Sequence, residues 1–277
     1  MKKVLIPTDF SEASRNAAVY AVELLRHTPC DFLLFHAYSV PSSVGVLISV
    51  GELLGEEAQE QLQREERLIR ERLGYPPIGF DKLALPGTLH ELLPDIISTQ
   101  QIDMVVMGTQ GPNGLADSVL GTHSARAIAQ TQCPVLVVPQ GWRIQGRRAV
   151  VFACDNALDE EQVAGQWFWV DWVVRHFQAK LTVLHIEDPE AVFSDGPPQD
   201  PASIAPKPSR LPAVAAYENR HRVAYHHDVV EGLLSHVESS EAEMLILVAH
   251  SRGWLGRLFH QSVTQAMAKK GIIPLLV

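Results

Sequence analysis

Three glycines and the residues beside them carry the clearest chemistry in this sequence. Met104-Val105-Val106-Met107 is an apolar run that breaks at Gly108. Gly111 follows three residues on, and Gly121-Thr122-His123-Ser124 opens an amphipathic stretch ten residues later. Glycine at a strand exit lets backbone approach a ligand with no Cβ in the way. A helix N-terminus adds unpaired N–H groups and partial positive charge, which suit phosphate. The pattern is G-x2-G-x9-G-T, distinct from both the G-x-x-x-x-G-K-[ST] loop and the G-x-G-x-x-G fingerprint. Its position between an apolar strand and a helix start is what makes a phosphate cradle the leading reading. The competing reading is a tight strand exit and an ordinary helix turn.

The elements that must position this loop alternate. Val4-Leu5-Ile6, Phe32 to Ala37, Phe80 to Leu85, Met104 to Met107 and Val135 to Val138 read as buried strands. Between the first two lies a helix with Ala17, Ala18, Ala21, Val22, Leu24 and Leu25 on its apolar face. Asp9 and Ser11 are both plausible N-caps, and Glu12 stands three residues after Asp9 in capping-box spacing. Glu56 to Leu73 reads as a charged helix with Arg64, Arg67, Arg70 and Arg72 on a solvated face; 41–55 stays unassigned. Thr88 to Thr99 reads as a helix that Pro94 should kink or fray. Strands alternating with helices imply right-handed crossovers and a mostly parallel sheet covered on both faces.

The plan then restarts. Residues 148–155 repeat 2–9, the helix from Asp159 to Phe177 repeats the first helix, and Leu181 to Ile186 repeats the strand ending in His36. Met244 to Val248 and Ile273 to Val277 repeat the fourth and fifth strands. An internal duplication sets two domains, 1–140 and 147–277, joined by the polar stretch 140–147. The second copy differs in two places. Asp188 to Pro212 is rich in Pro, Ser and Asp and reads as a long surface loop. Where the first copy has Gly108-Thr109-Gln110-Gly111, the second has Ala249-His250-Ser251-Arg252, and His260-Gln261-Ser262 stands near the later glycine position. Bulky side chains there would obstruct a phosphate.

With 46% hydrophobic and 20% charged residues the composition is that of a globular chain, and the formal net charge is −9. That charge argues against nucleic acid and anionic membrane as partners. Cys30, Cys133 and Cys154 are odd in number and widely spaced, so they form no disulfide framework or zinc knuckle and fit a reducing compartment. No signal-like segment opens the chain and no apolar run is long enough to span a bilayer, so a cytoplasmic location is expected. His36 and His185 end equivalent strands and read as satisfied interior histidines. His221, His226, His227, His236 and His250 fix no coordination geometry, so no metal site is assigned. Trp167, Trp169 and Trp172 fall on differing faces of one helix and read as packing groups.

These residues resemble the universal stress protein family in its tandem, two-domain form. The likeness rests on Val-Leu-Ile-Pro-Thr-Asp-Phe-Ser at 4–11, the strand ending in His36, and the glycine pattern closing in Cys-Pro-Val-Leu-Val-Val at 133–138. It spans nearly the whole chain and is degenerate in the second half. It implies two adenine-nucleotide α-hydrolase-like (Rossmann-like) α/β domains, each a five-stranded parallel sheet of order 3-2-1-4-5. It also implies ATP, accompanied by Mg2+, at the C-terminal ends of strands one, two and four of the first domain. Carried over, Pro7, Thr8 and Asp9 would border adenine and ribose, Ala37 would wall the adenine and Met107 would pack opposite. Gly108 and Gly111 would offer N–H groups to ribose and phosphates. Gly121, Thr122, His123 and Ser124 would hold the outer phosphates. The family further implies pairing through fifth strands, here an intramolecular pseudo-dimer, with a homodimer of chains as a further step.

No lysine stands in the glycine loop, and a γ-phosphate clamp is what fast phosphoryl transfer demands. The expectation is a regulatory nucleotide-binding protein with a stress-response role, one site per chain, and at most slow hydrolysis. The alternatives are a nucleotide-free interaction module and an enzyme of the related hydrolase or sulfurtransferase type. Against the latter, Pro7-Thr8-Asp9-Phe10-Ser11 lacks the glycines of an SGGxDS-like loop.

Overall fold

A computed structural model of the chain describes residues 2–40, 47–74, 79–109, 131, 133–147, 149–153, 160–190, 219–247 and 273–277. They fall into two compact units, one ending at Ile144 and the other beginning at Gln145.

In the first unit β1 (Lys2–Pro7), β2 (Cys30–Tyr38), β3 (Phe80–Pro86), β4 (Met104–Gly108) and β5 (Val135–Val138) pair in parallel in the order β3-β2-β1-β4-β5. Register is set by Val4 opposite both Phe32 and Met104, with Phe32 opposite Phe80 and Val105 opposite Val135. Val4 to Ile6 of β1, Phe32 to Phe35 of β2, Met104 to Met107 of β4 and all of β5 are unbroken apolar runs, as strands covered on both faces require, whereas β3 carries Asp81 and Lys82. Val4, Leu5, Ile6, Phe35 and Val105 have no measurable exposure.

Helix α1 (Glu12–Leu24) is sunk more deeply than a single apolar stripe would require. Ser14, Asn16, Val19 and Tyr20 are buried along with the expected alanines, Val22 and Leu24. The Asn16 amide donates to the carbonyls of Pro139 (3.1 Å) and Trp142 (3.2 Å), which satisfies it inside. Helix α2 (Leu47–Leu73) starts nine residues before the expected Glu56, so most of the unassigned connection is helical. Its buried side chains Ala58, Leu62, Glu65 and Ile69 recur at helical spacing. Of its arginines, Arg64, Arg67 and Arg72 are exposed as expected and Arg70 is half-buried. Arg72 also bonds both oxygens of Glu12 on α1, and Glu66 holds Arg70 and Lys82, which ties α2 to β3. Helix α3 (Leu89–Thr99) runs through Pro94 without a break, and Glu91 accepts from the Thr88 N–H at 3.3 Å.

The second unit repeats the order as β8-β7-β6-β9-β10, with β6 (Ala149–Ala153), β7 (Lys180–Glu187), β8 (Asn219–Tyr225), β9 (Met244–Leu247) and β10 (Leu275–Leu276) all parallel. Its helices are α4 (Glu160–His176) and α5 (Val229–Ser240), the latter capped by Asp228, whose carboxylate accepts from the N–H groups of Val230 and Glu231. The stretch carrying His221 is therefore an edge strand. Among the described residues no three His, Cys, Asp or Glu side chains are grouped to hold a metal, and no helix is long and apolar enough to cross a membrane. The tryptophans of α4 join an aromatic chain. Trp167 lies edge-on to Phe152, Trp169 to Phe168 and Trp172, and Trp172 stacks on His176. Of the expected loop 188–212, all but Asp188–Glu190 lies outside the described residues.

One device marks the duplication at atomic level. In the first unit the residue before β4, Asp103, accepts from the Lys3 N–H (2.8 Å) and the Lys2 ammonium (2.9 Å) at the start of β1. In the second, Glu243 holds the same position before β9 and accepts from the N–H groups of Gln145 (3.0 Å) and Arg147 (2.8 Å), just ahead of β6. Glu243 is fully buried, so these charge-assisted bonds are what compensates its desolvation.

Candidate functional site

In the first unit the chain runs from β1 outward through β2 to β3, then crosses to β4 on the other side of β1. The β1 and β4 exits therefore flank the point where strand order reverses, the place at which open α/β sheets bind ligands.

The β1 exit is Thr8-Asp9-Phe10-Ser11, and every turn of it is pinned. Thr8 N–H continues the ladder to the Phe35 carbonyl at 2.7 Å. Its buried hydroxyl accepts from the Phe10 N–H (3.0 Å) and lies 3.1 Å from the Ser14 hydroxyl. One Asp9 oxygen accepts from the Ser11 N–H at 3.0 Å, an Asx turn, while the other has no partner among the described residues. Ser11, not Asp9, is the N-cap of α1, accepting from Ser14 N–H at 3.2 Å. The Asp9–Glu12 capping box is not formed, because the Glu12 carboxylate is turned to Arg15 and Arg72. Phe10 adopts φ 64°, a left-handed conformation unusual for an aromatic residue. Its ring lies 4.3 Å from the His36 imidazole, centroid to centroid.

Behind this turn stands a buried ion pair. Arg15 donates to the Phe10 carbonyl (3.3 Å) and to Glu65 of α2 (2.6 Å). Glu65 is 2% exposed. Burial pushes its carboxyl above the usual range even though Arg15 opposes the shift. Its second oxygen and the Arg15 Nε have no hydrogen-bond partner among the described residues. Glu12 is held low, chiefly by its bond to Arg72. The half-buried thiols Cys30 and Cys133 are pushed up to about 11, mainly by burial, so neither is a reactive thiolate at neutral pH.

At the β4 exit Met107 is buried and Gly108 half-buried. A Cβ on Gly108 would stand 2.5 Å from the Ala13 carbonyl oxygen, so glycine lets β4 pass directly beneath the first turn of α1. The glycine thus makes room for a helix, a packing role that stands beside the ligand role read from the sequence. Thr109 beyond it is 4% exposed.

The expected site residues thus divide. Pro7, Thr8, Asp9, Met107 and Gly108 come together at the switch point, and Ala37, half-buried, is the last residue but one of the neighbouring strand β2. Gly111, Gly121, Thr122, His123 and Ser124 lie outside the described residues, as do Ala249 to Arg252 and His260 in the second half. His36 is half-buried rather than interior. Phe10 and Arg15 were missed by sequence reasoning. Nothing in Asp-Phe-Ser announces a left-handed backbone, and Arg15 at a helix's first turns reads as solvated.

Comparison with known proteins agrees with the duplicated fold. The Universal stress protein family is matched twice, over residues 1–139 and again over 146–277. A universal stress protein of Methanocaldococcus jannaschii is 30% identical over 142 residues, covering 50% of this chain and 81% of the relative. Another, of Thermus aquaticus, is 30% identical over 140 residues, covering 50% and 98%. Among solved structures, a universal stress protein from Archaeoglobus fulgidus aligns over 99% of this chain and 95% of its own at a TM-score of 0.66 and 15% identity, a likeness of fold.

Proposed function

The chain belongs to the universal stress protein family, and from that premise we propose that its first half binds ATP, with one site per chain, in a regulatory stress-response role. The observation that carries the reading is the meeting of the β1 and β4 exits at the switch point, ahead of the G-x2-G-x9-G-T run. The described residues fit the nucleoside end of such a ligand. The unpartnered Asp9 oxygen is an acceptor for ribose hydroxyls, and Ala37 and the half-buried rim of β2 leave apolar surface for a base. Residues 111–124 would supply the N–H and hydroxyl donors for the phosphates, and Mg2+ would neutralise part of their charge. No lysine stands in that run, so the site holds phosphates without a cationic clamp on the transferring group, and turnover is slow or nil.

The second half keeps the sheet but carries Ala249-His250-Ser251-Arg252 where the glycines would be, and side chains in place of glycine deny phosphate the close approach to backbone.

The test is a melting curve with and without ATP and magnesium. A ligand at about 100 times its Kd adds about 2.7 kcal/mol to stability, so the melting temperature should rise by several degrees. Gly111→Val should abolish the rise. The absence of a shift with any nucleotide at millimolar concentration would instead favour an interaction module. Multiple turnover above that of Asp9→Ala would favour an enzyme.

A further inference from the structure

We propose that Arg15 is a positioning residue of the nucleotide site, acting on Asp9 through the Phe10 carbonyl, with Glu65 of α2 as its counter-charge. The proposal rests on the nucleotide reading above and says what holds the Asp9 carboxylate in place.

Phe10, the residue after Asp9, is left-handed at φ 64°. A bulky residue keeps that conformation only where its surroundings impose it. Three contacts impose it here. The Thr8 hydroxyl accepts from the Phe10 N–H at 3.0 Å, and Arg15 donates to the Phe10 carbonyl at 3.3 Å. The Phe10 ring lies 4.3 Å from the imidazole of His36, whose Nδ1 donates to the Thr8 carbonyl at 2.7 Å. Asp9 is thus bracketed. Thr8 before it is bonded to Phe35 in the sheet, and Phe10 after it is fixed in an unfavourable backbone. Were Phe10 to relax to negative φ, the peptide planes beside it would turn and carry the Asp9–Ser11 bond with them.

As a stabilising device the Arg15–Glu65 pair is poor. Glu65 is 2% exposed, and its second oxygen and the Arg15 Nε have no hydrogen-bond partner among the described residues. Desolvating two charges offsets most of their attraction, and well-packed apolar side chains of similar volume often serve stability as well or better. An apolar residue at position 15 could not, however, donate to a backbone carbonyl. Nor does a guanidinium stay buried without a charge beside it, and Glu65, 2.6 Å away, supplies one from α2. The same guanidinium reaches Glu12 at 3.2 Å, so a single side chain joins α1, α2 and the β1 exit. Fixing a binding group in its bound geometry beforehand removes the cost of ordering it when the ligand arrives.

Arg15→Met alone would strand a buried carboxylate, so the test is the double variant Arg15→Met/Glu65→Gln, which removes both charges and keeps both stems. Kd for ATP with magnesium is measured on the full chain, with and without Asp9→Ala in each background, beside the melting temperature of each free protein. The double variant should fold and melt near its parent but bind ATP about tenfold more weakly, the value of one bond to a charged group. Asp9→Ala should weaken ATP about tenfold in the parent and less than about twofold in the double variant, where the carboxylate has already lost its place. A role in packing alone would leave the two effects additive. Additive effects, or a folded double variant that binds ATP as its parent does, overturn this inference and leave the nucleotide site standing. A double variant that does not fold makes the pair a stabilising one and overturns it too. Failure of the parent to bind ATP overturns both readings.

Discussion

Replacing Gly108 by alanine is the sharpest mechanical probe of the switch point. The added Cβ would meet the Ala13 carbonyl oxygen at 2.5 Å, the Ala13 carbonyl carbon at 2.7 Å and the Ser14 nitrogen at 3.1 Å. Ordinary van der Waals contact begins near 3.4 Å, so α1 and β4 must part by about 1 Å at a place where both are backbone and neither has a rotamer to yield. Overpacking of this kind costs about 1–3 kcal/mol, or about 3–10 °C in the Tm of a domain of this size. The first turn of α1 carries Ser14 and, through it, the Thr8 hydroxyl, so ATP affinity should fall with stability. Gly51→Ala is the control. It adds a methyl in α2 with nothing within 4 Å, and helix propensity predicts a gain of about 0.5–1 kcal/mol. Urea unfolding of the three proteins reads both effects. A Gly108→Ala protein as stable as its parent would refute the packing argument.

Three further outcomes follow from the buried Glu243 and Glu65 and the half-buried Asp103. Glu243→Ala should cost about 2 kcal/mol or more, because the Gln145 and Arg147 N–H groups lose their acceptor; amide exchange at those two residues should quicken, and unchanged exchange would contradict the assignment. Burial raises Glu65 above its ordinary 4.5, so the folded state binds that proton more readily than the unfolded chain. Stability contributed by the protonated form is therefore present at acid pH and lost as pH rises through the raised value. Denaturation midpoints compared with Glu65→Gln should show the parent losing ground across that window, and a constant difference would refute it. Asp103 has the opposite sign. Burial would raise it, but the bonds from Lys2 and the Lys3 N–H outweigh that and set it low, so the advantage of the parent over Asp103→Asn should vanish as pH falls below the usual carboxylate range.

The strands were legible in the sequence wherever burial on both faces forces an unbroken apolar run, as at Val4-Leu5-Ile6 or Met104 to Met107. β8 was not, because Asn219-Arg220-His221-Arg222 lies at the edge of its unit's sheet, where polar side chains carry no penalty. The opening turns of α2 were hidden for a related reason. Val50 and Leu53 are exposed, and Gly51 and Gly55 interrupt the pattern, so no amphipathic period marks them. Gly55 itself fits closely, since a Cβ there would stand 3.0 Å from the Tyr38 hydroxyl. In the site, residue type announced the β1 exit through Thr8-Asp9 and the β4 exit through Gly108. Backbone conformation and partner choice were not encoded in type alone. The left-handed Phe10, the Thr8 carbonyl bonded to His36 and the Arg15–Glu65 pair all depend on residues brought together from separate elements.

The proposed function requires one working nucleotide site per chain, in its first half. Equilibrium dialysis of the full chain against labelled ATP with magnesium counts it directly. The account predicts saturation at one ATP per chain, lost in Gly111→Val. Saturation at two per chain, or one ATP that survives Gly111→Val, would contradict it.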